Sequence, residues 1–295
     1  MDDQAWETRY PLGDGVRVLA VHPAGLIALE KPVGVLSHPN GRRDKHRSLV
    51  ASHYDHETER YYDLPEAGDE LYLCHRLDSA TSGVILLAQN PEMAQTVREL
   101  FSTHRMEKHY HAIVRGRPPA QENWVDRMSP AAMPYSGKPG GHKTGGGRPV
   151  EMRCRMHFVK NDANRLGLSL LQLIPATGRT HQLRIQTSKR GFPILGDRTY
   201  GDFRLNRTIA QALDMDRLYL HAGLLAFDFL YEGKLQKFRA ESPLPDEFQQ
   251  IMGGNAKLSR LKFNLPGVRP SRVGVPHVHR HHGSGNPPHH GKHHR

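Results

Sequence analysis

Residues 75–88 read His-Arg-Leu-Asp-Ser-Ala-Thr-Ser-Gly-Val-Ile-Leu-Leu-Ala and place one carboxylate just before a short apolar run. The run Val84–Ala88 is too short to span a membrane and has the continuous apolar character of a buried core strand. The small residues before it, which end at Gly83, are typical of a tight turn. The stretch therefore predicts that Asp78 is held at the rigid edge of a core strand.

Asp78 has a structural and a functional interpretation. The neighbouring residues Arg76 and His75 favour the ionised form of the carboxylate. An aspartate in an arbitrary loop most often caps its own turn and pairs with a nearby cation, which here would be Arg76. The functional interpretation depends on whether other parts of the chain carry matching chemistry.

Two further segments combine a predicted strand with basic or aromatic residues. In the segment Lys108–Val114, alternate residues, including Lys108 and Tyr110, lie on one face of a strand. A tyrosine in that position is equally typical of a half-buried core aromatic. Residues 177–185, Thr-Gly-Arg-Thr-His-Gln-Leu-Arg-Ile, follow a predicted strand at 166–174. Thr180 is expected to be the N-cap of a helix that starts at His181.

Together these segments resemble the motifs of the RluA-type pseudouridine synthases. The pattern H-R-L-D-x-x-T-S-G occurs at residues 75–83, K-x-Y-x-A-x-V-x-G at 108–116, and G-R-T-H-Q-L-R at 178–184. Further segments that match the family are K-P-x-G at 31–34, G-x-P-I-x-G-D-x-x-Y-G at 191–201 and R-L-x-L-H-A at 217–222. Ordered matches over roughly residues 16–250 are far more specific than one short motif.

The resemblance implies that the glycosidic bond of a uridine in RNA is broken and the base is rejoined to the ribose through carbon, without a cofactor or a metal. It implies that Asp78 is the catalytic carboxylate, acting either as a nucleophile or as a base toward the ribose. Tyr110 matches the tyrosine beside the target base, and Arg184 the arginine that pairs with the carboxylate. Arg76 matches the arginine that fills the space left by the flipped nucleotide. The other residues expected to bind RNA are His75, Lys108, Arg179, His181 and Gln182.

Other functions fit these residues less well. The extra leucine before Asp78 separates the motif from the H-R-D loop of kinases, and a glycosidase would need a second carboxylate. Asp197 is expected to serve only the turn that begins at Gly196. The chain has no Walker sequence, dinucleotide fingerprint or H-E-x-x-H motif. The alternative from another class is a catalytically silent RNA-binding or ribosome-assembly protein, and the presence of all three catalytic residues argues against it.

Positive charge is concentrated at the end of the chain. The net charge is +11, and the residues after Glu247 include eight Lys or Arg and no acidic residue. Residues 266–295 are rich in Gly, Pro, His and Arg and have too few large apolar residues to fold, which predicts a disordered basic tail. This tail could contact RNA phosphates, bind metal adventitiously or have no dedicated role. Residues 129–149 are rich in glycine and predict a flexible loop.

The remaining patterns predict an α+β protein with a mixed, largely antiparallel bent central sheet and flanking helices. Asn90 is expected to cap a helix that begins at Pro91. We expect an N-terminal extension at 1–15, one catalytic domain at 16–255 and the tail at 266–295, with no room for the S4 domain that many relatives carry. Two cysteines and no secretory or membrane segment suit the cytoplasm. We therefore expect a cytoplasmic monomer whose partner is ribosomal or transfer RNA.

Overall fold

The computed structural model describes residues 9–66, 68–128 and 149–261. These residues all belong to one compact unit. Tyr10, within the predicted N-terminal extension, is buried. The glycine-rich segment at 129–148 and the basic tail lie outside the described residues, so their predicted flexibility stays a prediction. No helix in the described ranges is long and apolar enough to cross a membrane.

The described strands form one twelve-stranded sheet. Its first six strands are β1 Arg17–His22, β2 Leu26–Lys31, β3 His53–Asp55, β4 Arg60–Tyr62, β5 Leu71–Leu73 and β6 Ser82–Ala88. The other six are β7 Glu107–Arg115, β8 Gln121–Met128, β9 Val150–Asn161, β10 Leu168–Pro175, β11 Leu220–Tyr231 and β12 Lys234–Glu241. The helices are a 3-10 helix at Arg42–Arg47 and α1 Pro91–Ser102, α2 Gln182–Lys189, α3 Phe203–Leu213, α4 Asp246–Met252 and α5 Ala256–Ser259.

The sheet is mixed, largely antiparallel and curled, as the sequence predicted. The main path runs β3-β4-β5-β6-β11-β7-β10-β9-β8, while β2 joins β6, β1 joins β2, and β12 joins β11. Among the described strand pairs, only β6 and β11 run parallel. The parallel pair lies next to the turn that carries Asp78, so residues far apart in the chain fix the position of this turn.

Two motif glycines mark places where separate segments meet closely. A Cβ at Gly83, where φ is +112°, would lie 2.1 Å from the carbonyl oxygen of Ala222 in β11. A Cβ at Gly196, where φ is +77°, would lie 1.7 Å from the carbonyl oxygen of Arg217. Neither position can hold a larger residue without movement of the backbone. The two glycines therefore allow the turn that carries Asp78 and the 196–201 turn to pack against the start of β11.

Helix α1 forms as predicted, whereas α2 begins differently. The side chain of Asn90 accepts a hydrogen bond from the backbone N–H of Met93 at 2.8 Å, and Pro91 is the first helical residue. The prediction that Thr180 caps α2 is wrong, because His181 occupies that position with φ 55° and makes no side-chain cap bond. The side chain of Gln182 instead accepts a bond from the backbone N–H of Arg179. The end of the loop before α2 is thus held by a local hydrogen bond to Gln182 and not by a Thr180 cap.

Candidate active site

A cavity of about 650 Å³ lies where the three motif segments meet. Its walls come from the turn before β6, the first half of β7, and the loop between β10 and α2. All of the predicted site residues line it: His75, Arg76, Asp78, Lys108, Tyr110, Arg179, His181, Gln182 and Arg184. A volume of this order suits a small organic group such as one nucleotide.

The turn that carries Asp78 is fixed on both sides. Lys31, at the end of β2, is fully buried and its Nζ donates to three backbone carbonyl oxygens at 2.8–3.1 Å, one of them that of Ser79. Ser37 Oγ donates to the carbonyl oxygen of Leu77 at 2.8 Å and accepts from its N–H at 3.1 Å. Burial lowers the pKa of Lys31 to about 7 against the opposing effect of the Asp78 charge. These contacts hold the Asp78 turn rigidly against the sheet.

Arg184 links two carboxylates. Its Nη1 donates to Asp78 Oδ2 at 3.2 Å, while Nε and Nη2 donate to the two oxygens of Asp197 at 2.7 and 2.9 Å. The Asp197 side chain is fully buried. Burial raises the pKa of Asp197, but the Arg184 bonds and the N–H groups of Thr199 and Tyr200 outweigh it and hold that pKa below its usual value. Asp197 therefore serves its turn, as predicted, and also anchors the guanidinium, which the sequence did not reveal.

His181 completes the set of contacts to the Asp78 carboxylate. Its Nε2 lies 3.5 Å from Asp78 Oδ2, and its Nδ1 lies 3.3 Å from the hydroxyl of Tyr200. Burial lowers the pKa of His181, although the Asp78 charge opposes this effect. The guanidinium of Arg184 also packs over the Tyr200 ring at 5.4 Å. The end of the 196–201 turn thus orients both groups that approach Asp78.

Tyr110 lies in the middle of β7, where it is partly buried. It pairs with Leu173 of β10 on one side and Ala222 of β11 on the other. Burial, with a smaller effect from the Asp78 charge, raises the pKa of Tyr110 to about 12. The phenol is therefore protonated at neutral pH and offers the cavity an aromatic face and a hydroxyl group.

Two of the predicted RNA-binding arginines are accessible. The Arg76 side chain is 60% exposed and pairs with Glu59 at 2.6 Å, and Arg179 is also exposed. Glu59 also lies 3.4 Å from Arg98, so one carboxylate is shared between two cations at the cavity rim. Arg76 and Arg179 have the exposure that contact with RNA requires.

His75 is engaged within the protein. Its Nε2 accepts a hydrogen bond from the backbone N–H of Leu86 at 3.1 Å, and its ring packs on Phe101. Burial, helped by the charge of Lys108, lowers the pKa of His75 to about 3, which keeps the ring neutral. Its contact with RNA stays a prediction. Within the protein, the hydrogen bond to Leu86 attaches the H-R-L-D segment to β6.

Gln182 is also engaged within the protein. Its side-chain oxygen accepts from Thr177 Oγ1 at 2.7 Å and from the N–H of Arg179 at 3.1 Å. Its amide group donates to the carbonyl oxygen of Arg153 at 3.0 Å and to Gln186 Oε1 at 3.2 Å. These four bonds use the donors and acceptors of the amide, so Gln182 holds the loop that presents its neighbours to the cavity.

Behind the cavity, a polar network involves Arg217 and His221 of the R-L-x-L-H-A segment, neither of which lines the cavity. Ser82 Oγ accepts from Arg217 Nη2 at 2.8 Å and lies 2.9 Å from His221 Nδ1. Arg217 also pairs with Glu247 at 3.0 Å. Burial lowers the pKa of His221 to about 4, so its ring is neutral. The network joins the T-S-G turn to the R-L-x-L-H-A segment through the parallel strand pair.

The described part of the chain contains no group of three His, Cys, Asp or Glu side chains arranged to hold a metal ion. Cys74 and Cys154 are both unpaired and buried. The groups that line the cavity include the Asp78 carboxylate, the Tyr110 phenol and the surrounding cations.

Comparison with known proteins identifies the family. The RNA pseudouridylate synthase family model matches residues 25–189, which include the three cavity motifs. A tRNA pseudouridine synthase C from Haemophilus ducreyi is 33% identical over 231 residues, which make up 77% of this chain and 90% of that protein. A ribosomal large subunit pseudouridine synthase C from Escherichia coli O157:H7 is 32% identical over 183 residues, or 62% of this chain and 55% of that relative. The match therefore spans about half the length of the Escherichia coli protein.

The fold agrees with this family. The solved structure of human RNA pseudouridylate synthase domain containing 4 has a TM-score of 0.54 and 25% sequence identity, with 78% of this chain and 90% of that chain covered. The human domain containing 1 protein gives a TM-score of 0.53 at 20% identity and shows the same fold. Because the family model covers more than half of the chain and a relative matches over nearly its whole length, the chain belongs to the RNA pseudouridylate synthase family of isomerases.

Proposed function

We propose that this RNA pseudouridine synthase uses Asp78 as its catalytic group and acts on uridines of transfer or ribosomal RNA. The observation that carries the proposal is the Asp78 carboxylate itself, which is 31% exposed in a cavity that also contains Tyr110. Arg184 and His181 both approach Oδ2. Among the described contacts, Oδ1 accepts no hydrogen bond, so this oxygen is available to a substrate.

The reaction is balanced within the uridine. The N1–C1′ bond breaks and a C5–C1′ bond forms, while a proton leaves C5 and N1 gains one. Asp78 acts either by attacking C1′ or by removing a proton from the ribose, and both routes require a fixed, ionised carboxylate. Arg184 helps to fix the carboxylate in place, because its Nη1 donates a hydrogen bond to Asp78 Oδ2 at 3.2 Å.

The target uridine must leave its base stack to reach Asp78. Extrusion of a nucleotide costs a few kcal/mol. Stacking of the base on the face of Tyr110 can offset part of this free-energy cost, because it contributes about 1–3 kcal/mol per base. Arg76, exposed at the cavity rim, has the reach to occupy the gap left in the RNA.

The relatives support the substrate class. The Haemophilus ducreyi relative is named a tRNA pseudouridine synthase, as are relatives from Vibrio cholerae and Yersinia pestis, and the Escherichia coli relative is named for the large ribosomal subunit. We place transfer RNA first, since the matches to the transfer RNA enzymes cover more of both chains. We also propose that the protein acts as a monomer in the cytoplasm, which size-exclusion chromatography and cell fractionation would test. The unpaired cysteines and the RNA substrate support the cytoplasmic location.

Replacement of Asp78 by Asn tests the catalytic assignment. The amide is close in shape to the carboxylate but is neither a nucleophile nor a base, so we expect no tritium release from RNA labelled at uridine C5. The melting temperature and RNA affinity should stay near those of wild type. Asp228→Asn, at an exposed position on β11, is the matched control and should be fully active. Substantial turnover by Asp78→Asn would overturn the assignment.

The substrate is tested in cells that lack the gene. Carbodiimide-dependent primer-extension stops map pseudouridines in total RNA, and we expect one or more stops in transfer RNA to disappear. Loss of a stop in ribosomal RNA alone would assign the enzyme to the ribosome. A wild-type protein that binds both RNAs and changes neither would support the silent RNA-binding alternative.

A further inference from the structure

We propose that the ammonium group of Lys108 binds the RNA backbone phosphate that adjoins the flipped uridine. The inference rests on the proposed function, because it needs a nucleotide in the cavity. It goes further by assigning one cation to one chemical group of the substrate.

Lys108 lies close to the aromatic residue that faces the base. It is two residues before Tyr110 on β7, so the two side chains share a face of the strand and stand about 7 Å apart along it. Lys108 is only 4% exposed, yet it lines the catalytic cavity. A Cβ placed on Gly178 would lie 3.7 Å from its Nζ, so the missing side chain of Gly178 leaves space beside the ammonium. A base on Tyr110 would bring its own backbone within one nucleotide length of this space.

The charge of Lys108 is not balanced by the described parts of the protein. Within residues 9–66, 68–128 and 149–261, its Nζ makes no hydrogen bond and no ion pair, and only the Phe101 ring, 5.7 Å away, offers partial compensation. Lys31, which is also buried, differs in that its Nζ donates to three carbonyl oxygens. The titratable neighbours His75 and Cys154 are neutral, because burial lowers the pKa of His75 to about 3 and raises the pKa of Cys154 to about 12.

An unpaired buried cation destabilises a fold, so its presence in a cavity indicates a use outside folding. Burial lowers the pKa of Lys108 to about 8, which still leaves most of the group protonated at neutral pH. The substrate itself supplies the missing counter-ion, since each nucleotide carries one phosphate. A uracil carbonyl could accept a hydrogen bond from Nζ but could not neutralise its charge. The phosphate therefore matches Lys108 better than the base does.

The first test replaces Lys108 by Met in the full chain and uses Lys237→Met, at an exposed position on β12, as the matched control. We expect Lys108→Met to weaken RNA binding about 10- to 100-fold, as for the loss of one charge-assisted hydrogen bond. The slope of log K against log salt should become shallower by about 0.7, which corresponds to one phosphate contact on single-stranded RNA. The melting temperature should stay unchanged or rise, because an unpaired buried charge has been removed. Lys237→Met should change none of these quantities.

The second test identifies the phosphate. Single neutral methylphosphonates are placed in turn on either side of the target uridine. Wild type should lose affinity at one position, and Lys108→Met should be insensitive to that same substitution. A lower melting temperature with an unchanged salt slope would show that Lys108 is structural and would overturn the proposal. Equal sensitivity of both proteins at every position would also overturn the proposal, and it would favour a contact between Lys108 and a uracil carbonyl.

These outcomes remain separate from a failure of the catalytic assignment. Both experiments measure binding and can be carried out with Asp78→Asn protein, which is expected to hold RNA without converting it. If Asp78→Asn proves active, the role of Asp78 fails, while the salt slopes and the methylphosphonate series still report on Lys108.

Discussion

Replacement of Asp197 by Asn tests how the active site is held together. In the wild-type protein the buried carboxylate accepts two hydrogen bonds from Arg184 and two from backbone N–H groups of its own turn. Asparagine keeps one oxygen for the turn. Its amide nitrogen, however, carries no charge and presents donors toward the donors of Arg184. The substitution thus leaves the turn largely intact and removes the main counter-ion of the guanidinium.

The expected loss of stability follows from the burial of Arg184. Removal of one partner from a buried ion pair costs about 3–5 kcal/mol, because the other charge stays buried. Arg184 is 9% exposed, and after the change only Asp78, which is 31% exposed, remains as a carboxylate partner at 3.2 Å. We therefore expect the lower end, about 3 kcal/mol, or roughly 6–12 °C in Tm for a domain of this size. Release of Arg184 should also lower kcat by about 100-fold, the scale of a 1 Å misplacement in an active site.

Thermal unfolding and tritium release from C5-labelled RNA measure the two effects. The informative control is the double variant Asp197→Asn/Arg184→Met, in which no buried charge is left uncompensated. We expect the double variant to melt above the single variant without regaining activity. The anchoring role of Asp197 would be refuted if the single variant melted within about 1 °C of wild type. It would also be refuted if the double variant melted below the single variant.

Three further predictions concern the base, the buried histidines and the tail. Tyr110→Phe should keep the RNA affinity of wild type, whereas Tyr110→Leu should weaken it by about 1–3 kcal/mol in filter binding; equal affinities of all three proteins would remove Tyr110 from the base. His75 and His221 are neutral when folded, with pKa values of about 3 and about 4, but titrate near 6.5 when unfolded, so the unfolded chain binds more protons below pH 6.5. The free energy of unfolding should therefore fall with decreasing pH by up to about 1.4 kcal/mol per pH unit for each histidine. His221→Asn should make this pH dependence shallower in denaturant titrations between pH 7 and 5. An unchanged pH dependence would show that His221 is not a buried neutral histidine. Truncation after Pro266 should lower RNA affinity and make its salt dependence shallower at an unchanged rate with saturating RNA, and identical salt slopes would exclude the tail from RNA binding.

Local signals in the sequence were sufficient where short-range physics decides the structure. The run after Gly83 predicted β6 because a continuous apolar stretch bounded by turn residues has few alternatives. Asn90 and Pro91 predicted the start of α1 because a cap involves only the next three residues. The site residues that were predicted from the motif matches all line one cavity.

Long-range contacts set the limit of prediction. Lys31 binds the carbonyl oxygen of Ser79, 48 residues away, and nothing in its own neighbourhood indicates that partner. Asp197 was expected to serve only its turn, because its bond to Arg184 depends on how a helix and a turn pack. Thr180 is a residue type that is favoured at N-caps, but His181 takes that position in a left-handed conformation. In each case a tertiary contact outweighs the local preference.

Because β6 pairs in parallel with the late strand β11, we expect the enzyme to become competent only near the end of its synthesis. Ser82 meets His221 across a separation of 139 residues, so the support behind the Asp78 turn cannot assemble until most of the chain has left the ribosome. Closing a loop of that length is slow compared with forming the neighbouring hairpins. A nascent chain that ends before β11 would therefore contain the three motifs whose residues were predicted to form the site and still lack the support behind the Asp78 turn. Termination of the chain before residue 217 should thus yield inactive fragments, and a polypeptide from residue 217 onward, supplied separately, is the piece that would have to restore their activity.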